Sequence, residues 1–133
     1  MVIAMTSESL MKRVSALLGV LALAGCAAWF GGEPPAKVSD GVFVEPSKAM
    51  TLYTFDRDTA AKSACVAQCA VNWPPLVAPA DAKPAGHWTV VTRDDGRRQW
   101  AYKGKPLYTW AKDQKPGDRT GDGVNNLWRV AKP

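Results

Sequence analysis

The chain has 133 residues, 47% apolar and 22% charged, a balance that excludes intrinsic disorder and fibrous architectures. At ~100–200 residues per domain it holds one domain and has no room for a second catalytic lobe. Its 17 Lys+Arg against 12 Asp+Glu give a net charge of +5, but the signs alternate along the chain instead of forming a stripe, so no nucleic-acid partner is expected.

The first segment reads as an export signal. Met11-Lys12-Arg13 is a short positive start, and Val14 to Gly25 is an apolar run ending in small residues, as in a secretory leader. That run is too short for the ~20 residues a membrane-spanning helix needs. Met1 to Leu10 lack signal character, so Met1, Met5 and Met11 all remain candidate starts. Leu23-Ala24-Gly25-Cys26 resembles a bacterial lipobox. The resemblance implies cleavage before Cys26, a diacylglycerol thioether on its sulfur and a further acyl chain, such as palmitate, on its amine. Two or more chains anchor stably where one is marginal. Membrane lipid is thus the expected partner of Cys26. Ala27, where an Asp would retain the protein, resembles the outer-membrane sorting pattern of a Gram-negative host. Residues 1–25 are read as leader and 26–39 as a lipidated N-terminus and tether, since Gly31-Gly-Glu-Pro-Pro35 shows no hydrophobic period.

Residues 40–133 read as a mainly β, small antiparallel domain. Val42 to Val44 and Thr51 to Phe55 are β-rich runs around a Pro46-Ser-Lys48 turn. Thr59 to Ala70 is Ala-rich and follows Asp58, predicting one short helix or helical turns. Within it lie Cys65 and Cys69, four apart. On a helical turn their Cα atoms lie ~6 Å apart, within reach of a disulfide. The rival is a metal site, but two thiolates need two more ligands and the one histidine is His87. No haem-attachment motif is present, and neither a metal nor any other cofactor is expected. His87 to Arg93 alternates, Asp94-Asp-Gly96 turns, Arg97 to Tyr102 returns, Lys103-Gly104 turns again into Leu107 to Trp110, and Leu127 to Val130 closes.

Sliding residues 40–133 against themselves by 55 positions aligns Asp40-Gly41 with Asp95-Gly96, Lys48 with Lys103, Leu52-Tyr-Thr54 with Leu107-Tyr-Thr109, and Phe55 with Trp110. Arg57 then meets Lys112, Asp58 meets Asp113 and Trp73 meets Trp128. Matches at large residues with equal internal spacing indicate two pseudo-symmetric copies of one supersecondary unit, residues 40–80 and 86–133. Tyr53-Thr-Phe55-Asp-Arg-Asp58 and Tyr108-Thr-Trp110-Ala-Lys-Asp113 both fit Tyr-x-(Phe/Trp/Tyr)-x-x-Asp. With Cys65-x-x-x-Cys69, Trp73-Pro-Pro75 and Gly121-Asp-Gly123, the chain resembles the bacterial lipoproteins carrying that motif, the secreted repeat of unknown function. The resemblance implies an envelope lipoprotein with two repeats and no established activity. Copy two departs from copy one in having Thr120 and Val124 where copy one has Cys65 and Cys69.

Tyr53 with Phe55, and Tyr108 with Trp110, point to one strand face each. The stronger expectation is that these aromatics fill the core while Asp58 and Asp113 cap the turns that follow. The weaker one is a pair of aromatic-plus-carboxylate pockets for a cationic or sugar-like ligand. The loop from Asp113 to Asn126 offers hard oxygen donors, yet lacks the EF-hand spacing and carries Lys115 and Arg119 among its acids. Trp73-Pro74-Pro75 reads as a packing post. Three functional classes follow. A non-enzymatic envelope module, binding an envelope ligand or protein or shaping the surface, leads because no catalytic set is present. A redox or metal-handling lipoprotein would use Cys65, Cys69, His87 and Met50. A hydrolase of envelope polymers would use Asp58 and Asp113, but an acid/base pair needs unlike environments and a symmetric repeat supplies like ones.

Overall fold

The computed structural model describes residues 33–133; the leader and Cys26 lie outside the described residues. The elements in chain order are β1 (Lys37–Ser39), β2 (Val42–Val44), β3 (Tyr53–Phe55), α1 (Gln68–Asn72), β4 (Trp88–Thr92), β5 (Arg98–Tyr102), β6 (Lys105–Pro106) and β7 (Trp128–Val130). β1 pairs with β2, β3 with β7, and β4, β5 and β6 lie side by side in that order, every pairing antiparallel. The mainly β, antiparallel architecture with one short helix is therefore as the sequence indicates. Asp40-Gly41 (φ 49° and 78°) and Lys103-Gly104 (φ 48° and 77°) close two-residue hairpins. Paired left-handed residues match the twist of the strands they join, and glycine takes the second position without a Cβ penalty.

The repeats are built across each other. At the centre, Tyr53 and Tyr108 exchange backbone bonds, N–H to O at 2.7 Å one way and 3.0 Å the other. Around that point the bonds recur in matched pairs. Ala131 N–H donates to Leu52 O at 2.8 Å, as Leu76 N–H does to Leu107 O at 2.9 Å. Asp56 N–H donates to Leu127 O at 2.8 Å, as Ala111 N–H does to Asn72 O at 2.9 Å. Each motif strand thus pairs with the closing segment of the other copy: β3 with β7, and Tyr108 with Pro75. Neither copy contains its own partner, so folding joins both or neither. The two apolar clusters accordingly mix the copies. One gathers Ala36, Phe43, Leu52, Trp88, Leu107 and Ala131; the other gathers Tyr53, Cys65, Trp73, Tyr108 and Trp128.

Three expectations need correction. The tether does not reach Ser39, because Lys37–Ser39 is strand β1 and Ala36 is buried. All three β1 side chains are exposed, so its pairing rests on backbone bonds that leave no hydrophobic pattern to read. The helix predicted over Thr59 to Ala70 is confined to Gln68–Asn72. Before it, Thr59 and Lys62 form an isolated antiparallel bridge, Asp58 accepts the Ala64 N–H, and Ala67 sits at φ 53°. Side-chain bonds to the backbone compete with helix formation at such places. The alignment at 55 positions also slips before Leu52. Phe43 N–H donates to Ala131 O where Trp100 N–H donates to Leu76 O, so Phe43 corresponds to Trp100, not Arg98. The Asp40-Gly41 and Asp95-Gly96 match marks hairpin tips of unequal length.

Candidate functional site

The motif residues meet across the central Tyr53–Tyr108 backbone pair, each tyrosine reaching the other copy's aspartate. Tyr53 Oη–H donates to Asp113 Oδ2 at 2.5 Å, and Tyr108 Oη–H donates to Asp58 Oδ2 at 2.6 Å. Both tyrosines are fully buried and Asp113 is 7% exposed. The aspartates use their other oxygens on the turns that follow. Asp58 Oδ1 accepts from Ala64 N–H at 2.7 Å. Asp113 Oδ1 accepts from Thr120 N–H at 3.0 Å and Thr120 Oγ1–H at 2.6 Å. Hydrogen bonds to charged acceptors are the strong class, at about 1.5–3 kcal/mol each.

The aromatic partners form a column beside the tyrosines. Trp73 and Trp128 lie face to face, centroids 3.7 Å apart and planes 1° from parallel. Trp110 stacks on the outer face of Trp73 at 3.9 Å, and Phe55 on that of Trp128 at 4.3 Å. Tyr53 meets Trp73 edge-on at 5.4 Å, as Tyr108 meets Trp128 at 5.1 Å. Such pairs add about 0.5–1.5 kcal/mol each beyond their burial. Gly121 is the residue that lets this column close. A Cβ there would stand 2.7 and 2.9 Å from Trp73 ring carbons and 2.9 Å from Tyr53 Cε1.

The halves differ in what backs the clasp. Behind Tyr108, the hydroxyl already donates to a carboxylate, so Ser63 Oγ–H donates to it at 2.5 Å. Ser63 Oγ in turn accepts from Arg93 Nη1 at 2.8 Å. Arg93 is buried, and it also bonds Gln99 Oε1 at 2.9 Å, Cys65 O at 2.7 Å and the Asp95 carboxylate at 3.0 Å. Hydrogen bonds from Arg97 and Arg93 hold the Asp95 carboxyl well below its usual range. Behind Tyr53 there is only the Gly121 N–H, at 3.3 Å. Cys65 and Cys69 are disulfide-bonded with Cα atoms 5.2 Å apart, Cys65 buried within the aromatic cluster. Ser63, Arg93 and Gln99 were not singled out from sequence, although β4 alternation continues from buried Val91 to buried Arg93, a strand-period signal.

Burial, reinforced by the carboxylate at the hydroxyl, pushes both Tyr53 and Tyr108 far above the ordinary value of about 10. Burial likewise raises Asp58, against the opposing Tyr108 and Ala64 hydrogen bonds and the Arg93 charge. A raised tyrosine contributes stability that is full below the unfolded pKa and is lost as pH climbs from about 10 toward the folded value. Alkaline titration followed by phenolate absorbance is therefore expected to show Tyr53 and Tyr108 ionising only as the fold unravels. Tyr53→Phe removes amplitude from that late step. Early ionisation of both with the fold intact would contradict it.

With both oxygens of each aspartate and both phenols engaged, the motif presents no open acid/base pair. Among the described residues no three His, Cys, Asp or Glu side chains gather as a metal site. In the Asp113–Asn126 loop, Asp118 accepts its own loop's Gln114 and Lys115 N–H groups, and Asp122 accepts Val130 N–H. His87 is exposed and edges onto Tyr102 at 5.8 Å. A shallow cleft among Ser39, Asp40, Val42, Thr51, Pro116 and Arg119 has room for about 40 Å³, well below the ~300 Å³ of a ligand pocket.

A family model described as a secreted repeat of unknown function matches residues 35–77 and again residues 89–132. The chain belongs to that family. No curated protein and no solved structure matches it. As a secreted repeat protein it stands among exported chains, and the first matched segment opens at Pro35, beside buried Ala36 and ahead of β1. Both matched segments carry one tyrosine and one aspartate of the motif, so each clasp spans the two segments.

Proposed function

We propose that this secreted repeat protein is a lipid-anchored module of the bacterial cell envelope, held by acylated Cys26, and that it works as a non-enzymatic structural or binding domain. The crossed tyrosine–aspartate bonds carry this reading. They commit the motif's phenols, carboxylates and rings to holding the copies together, which leaves the motif no group free for turnover. The lipobox-like Leu23-Ala-Gly-Cys26 and the tether after it supply the anchor. An envelope ligand or protein partner then meets the outer surface of the domain, not the motif.

Intact mass of envelope-purified protein, without reductant or chelator, tests both parts. The denatured mass is expected to begin at Cys26 with diacylglycerol and acyl chains, less ~2 Da for the disulfide. The native mass is expected to carry no stoichiometric small molecule. A polypeptide without lipid overturns the anchor, and reproducible substrate turnover by the purified protein overturns the non-enzymatic role.

A further inference from the structure

The bonds that join the two copies are reciprocal, so the surface that closes repeat one on repeat two is offered equally to another chain. We propose that a second copy of this protein is the partner this surface fits: repeat one of each chain closes on repeat two of the other, and Arg98 holds the monomer shut against that exchange. The swapped dimer keeps the bonds between the repeats themselves, including Tyr53 to Asp113, Tyr108 to Asp58 and the Trp73–Trp128 stack, and gives up the hold of Arg98 on the connection. Only the path of the connecting segment changes. Exchange of identical elements is a low-cost route to dimers for this reason.

The connection is residues 79–87, between Ala78, whose N–H donates to Arg98 O, and β4. It turns locally, with Ala82 N–H on Pro79 O at 3.0 Å and Ala85 bridged to Trp88. Most of its residues are exposed. Arg98 on β5 tacks it down, Nη1 bonding the carbonyls of Pro79 and Ala80 and Nη2 that of Ala82 at 2.9 Å. The gap it closes follows from the sheet. Ala78 flanks β5 at Arg98 on one side, and Trp88 faces Tyr102 across the other. Two strand spacings across and four residues along come to about 17 Å. The whole connection reaches ~33 Å when extended, so closure within one chain is unstrained. Its slack sets a high local concentration, of order mM, that dilute second copies do not match.

Deleting residues 80–85 reverses that preference. Pro79, Gly86 and His87 then span at most ~14 Å between Ala78 and Trp88, short of the gap, while the two family-matched segments, 35–77 and 89–132, stay whole. The full chain with this deletion, in detergent, is expected to give a native mass of two copies, with the exciton circular dichroism of the Trp73–Trp128 stack kept. A folded monomer would overturn the proposal, and so would a chain that does not fold, since exchange would have rescued it. Arg98→Gln gives the second reading with the connection at full length. After refolding at millimolar concentration it is expected to yield several-fold more dimer than the unaltered chain. Equal dimer fractions would overturn the role of Arg98.

Discussion

Replacing Trp128 with alanine is expected to cost about 4 kcal/mol, the range for deleting a buried indole. For a domain of about 100 residues that lowers Tm by roughly 15–30 °C. The loss goes beyond volume because Trp128 is held on three sides: Trp73 at 3.7 Å, Phe55 at 4.3 Å and the Tyr108 edge at 5.1 Å. It lies on β7, the strand that repeat two lends to repeat one. By the pseudo-symmetry Trp73→Ala is expected to cost a similar amount, although Trp73 sits on a segment without regular strand structure. Thermal unfolding followed by circular dichroism measures both. A cost below about 1 kcal/mol for either would mean that the column is not what joins the copies.

Arg93→Met is expected to cost about 3 kcal/mol, through a different mechanism. Methionine fills much of the space, but Ser63, Gln99 Oε1 and the Cys65 carbonyl lose a buried donor together. Orphaned buried polar groups cost about 1–3 kcal/mol each, less what water recovers. Asp95 is left partly exposed and remains solvated, so its charge adds little to the loss. The effect is also one-sided. Arg93 reaches Tyr108 through Ser63, whereas Tyr53 is backed only by the Gly121 N–H. Thermal unfolding of the variant measures the loss, and a cost below about 1 kcal/mol would show that the Arg93 donors are not what satisfies these buried groups.

The strands, the hairpin tips, the duplication and the Cys65–Cys69 bond were legible in the sequence because each rests on local spacing. Asp-Gly and Lys-Gly favour tight turns with a left-handed glycine, and cysteines four apart lie within bonding reach across a turn. The crossing of the copies was not legible. An internal repeat reports that two units share a pattern, and that pattern is identical whether Tyr53 bonds Asp58 or Asp113. The same holds for β1, whose exposed Lys37, Val38 and Ser39 pair through the backbone alone. Arg93 was missed because charged residues are rarely buried unless paired, and its partners lie partly in its own hairpin, at Asp95 and Gln99, and partly some 30 residues earlier, at Ser63 and Cys65. The one short helix forms only at the far end of the stretch from Thr59 to Ala70, at Gln68–Asn72, for a related reason. Ser63 and Ala64 are drawn off by Tyr108 and Asp58, long-range demands that alanine content does not reveal.

The central claim is that the motif is a clasp between repeats and not a site within each. A double-mutant cycle on Tyr53→Phe and Asp113→Asn tests it most directly, beside a second cycle on Tyr53→Phe and Asp58→Asn. The first pair is bonded at 2.5 Å across the copies, whereas Tyr53 and Asp58 belong to one motif and have different partners. Crossed clasps predict a coupling of about 1–2 kcal/mol in the first cycle. They predict no more than ~0.5 kcal/mol in the second, the margin within which independent sites add. Strong coupling between Tyr53 and Asp58 with none between Tyr53 and Asp113 would contradict the account, and would return the motif to a site that each repeat carries alone.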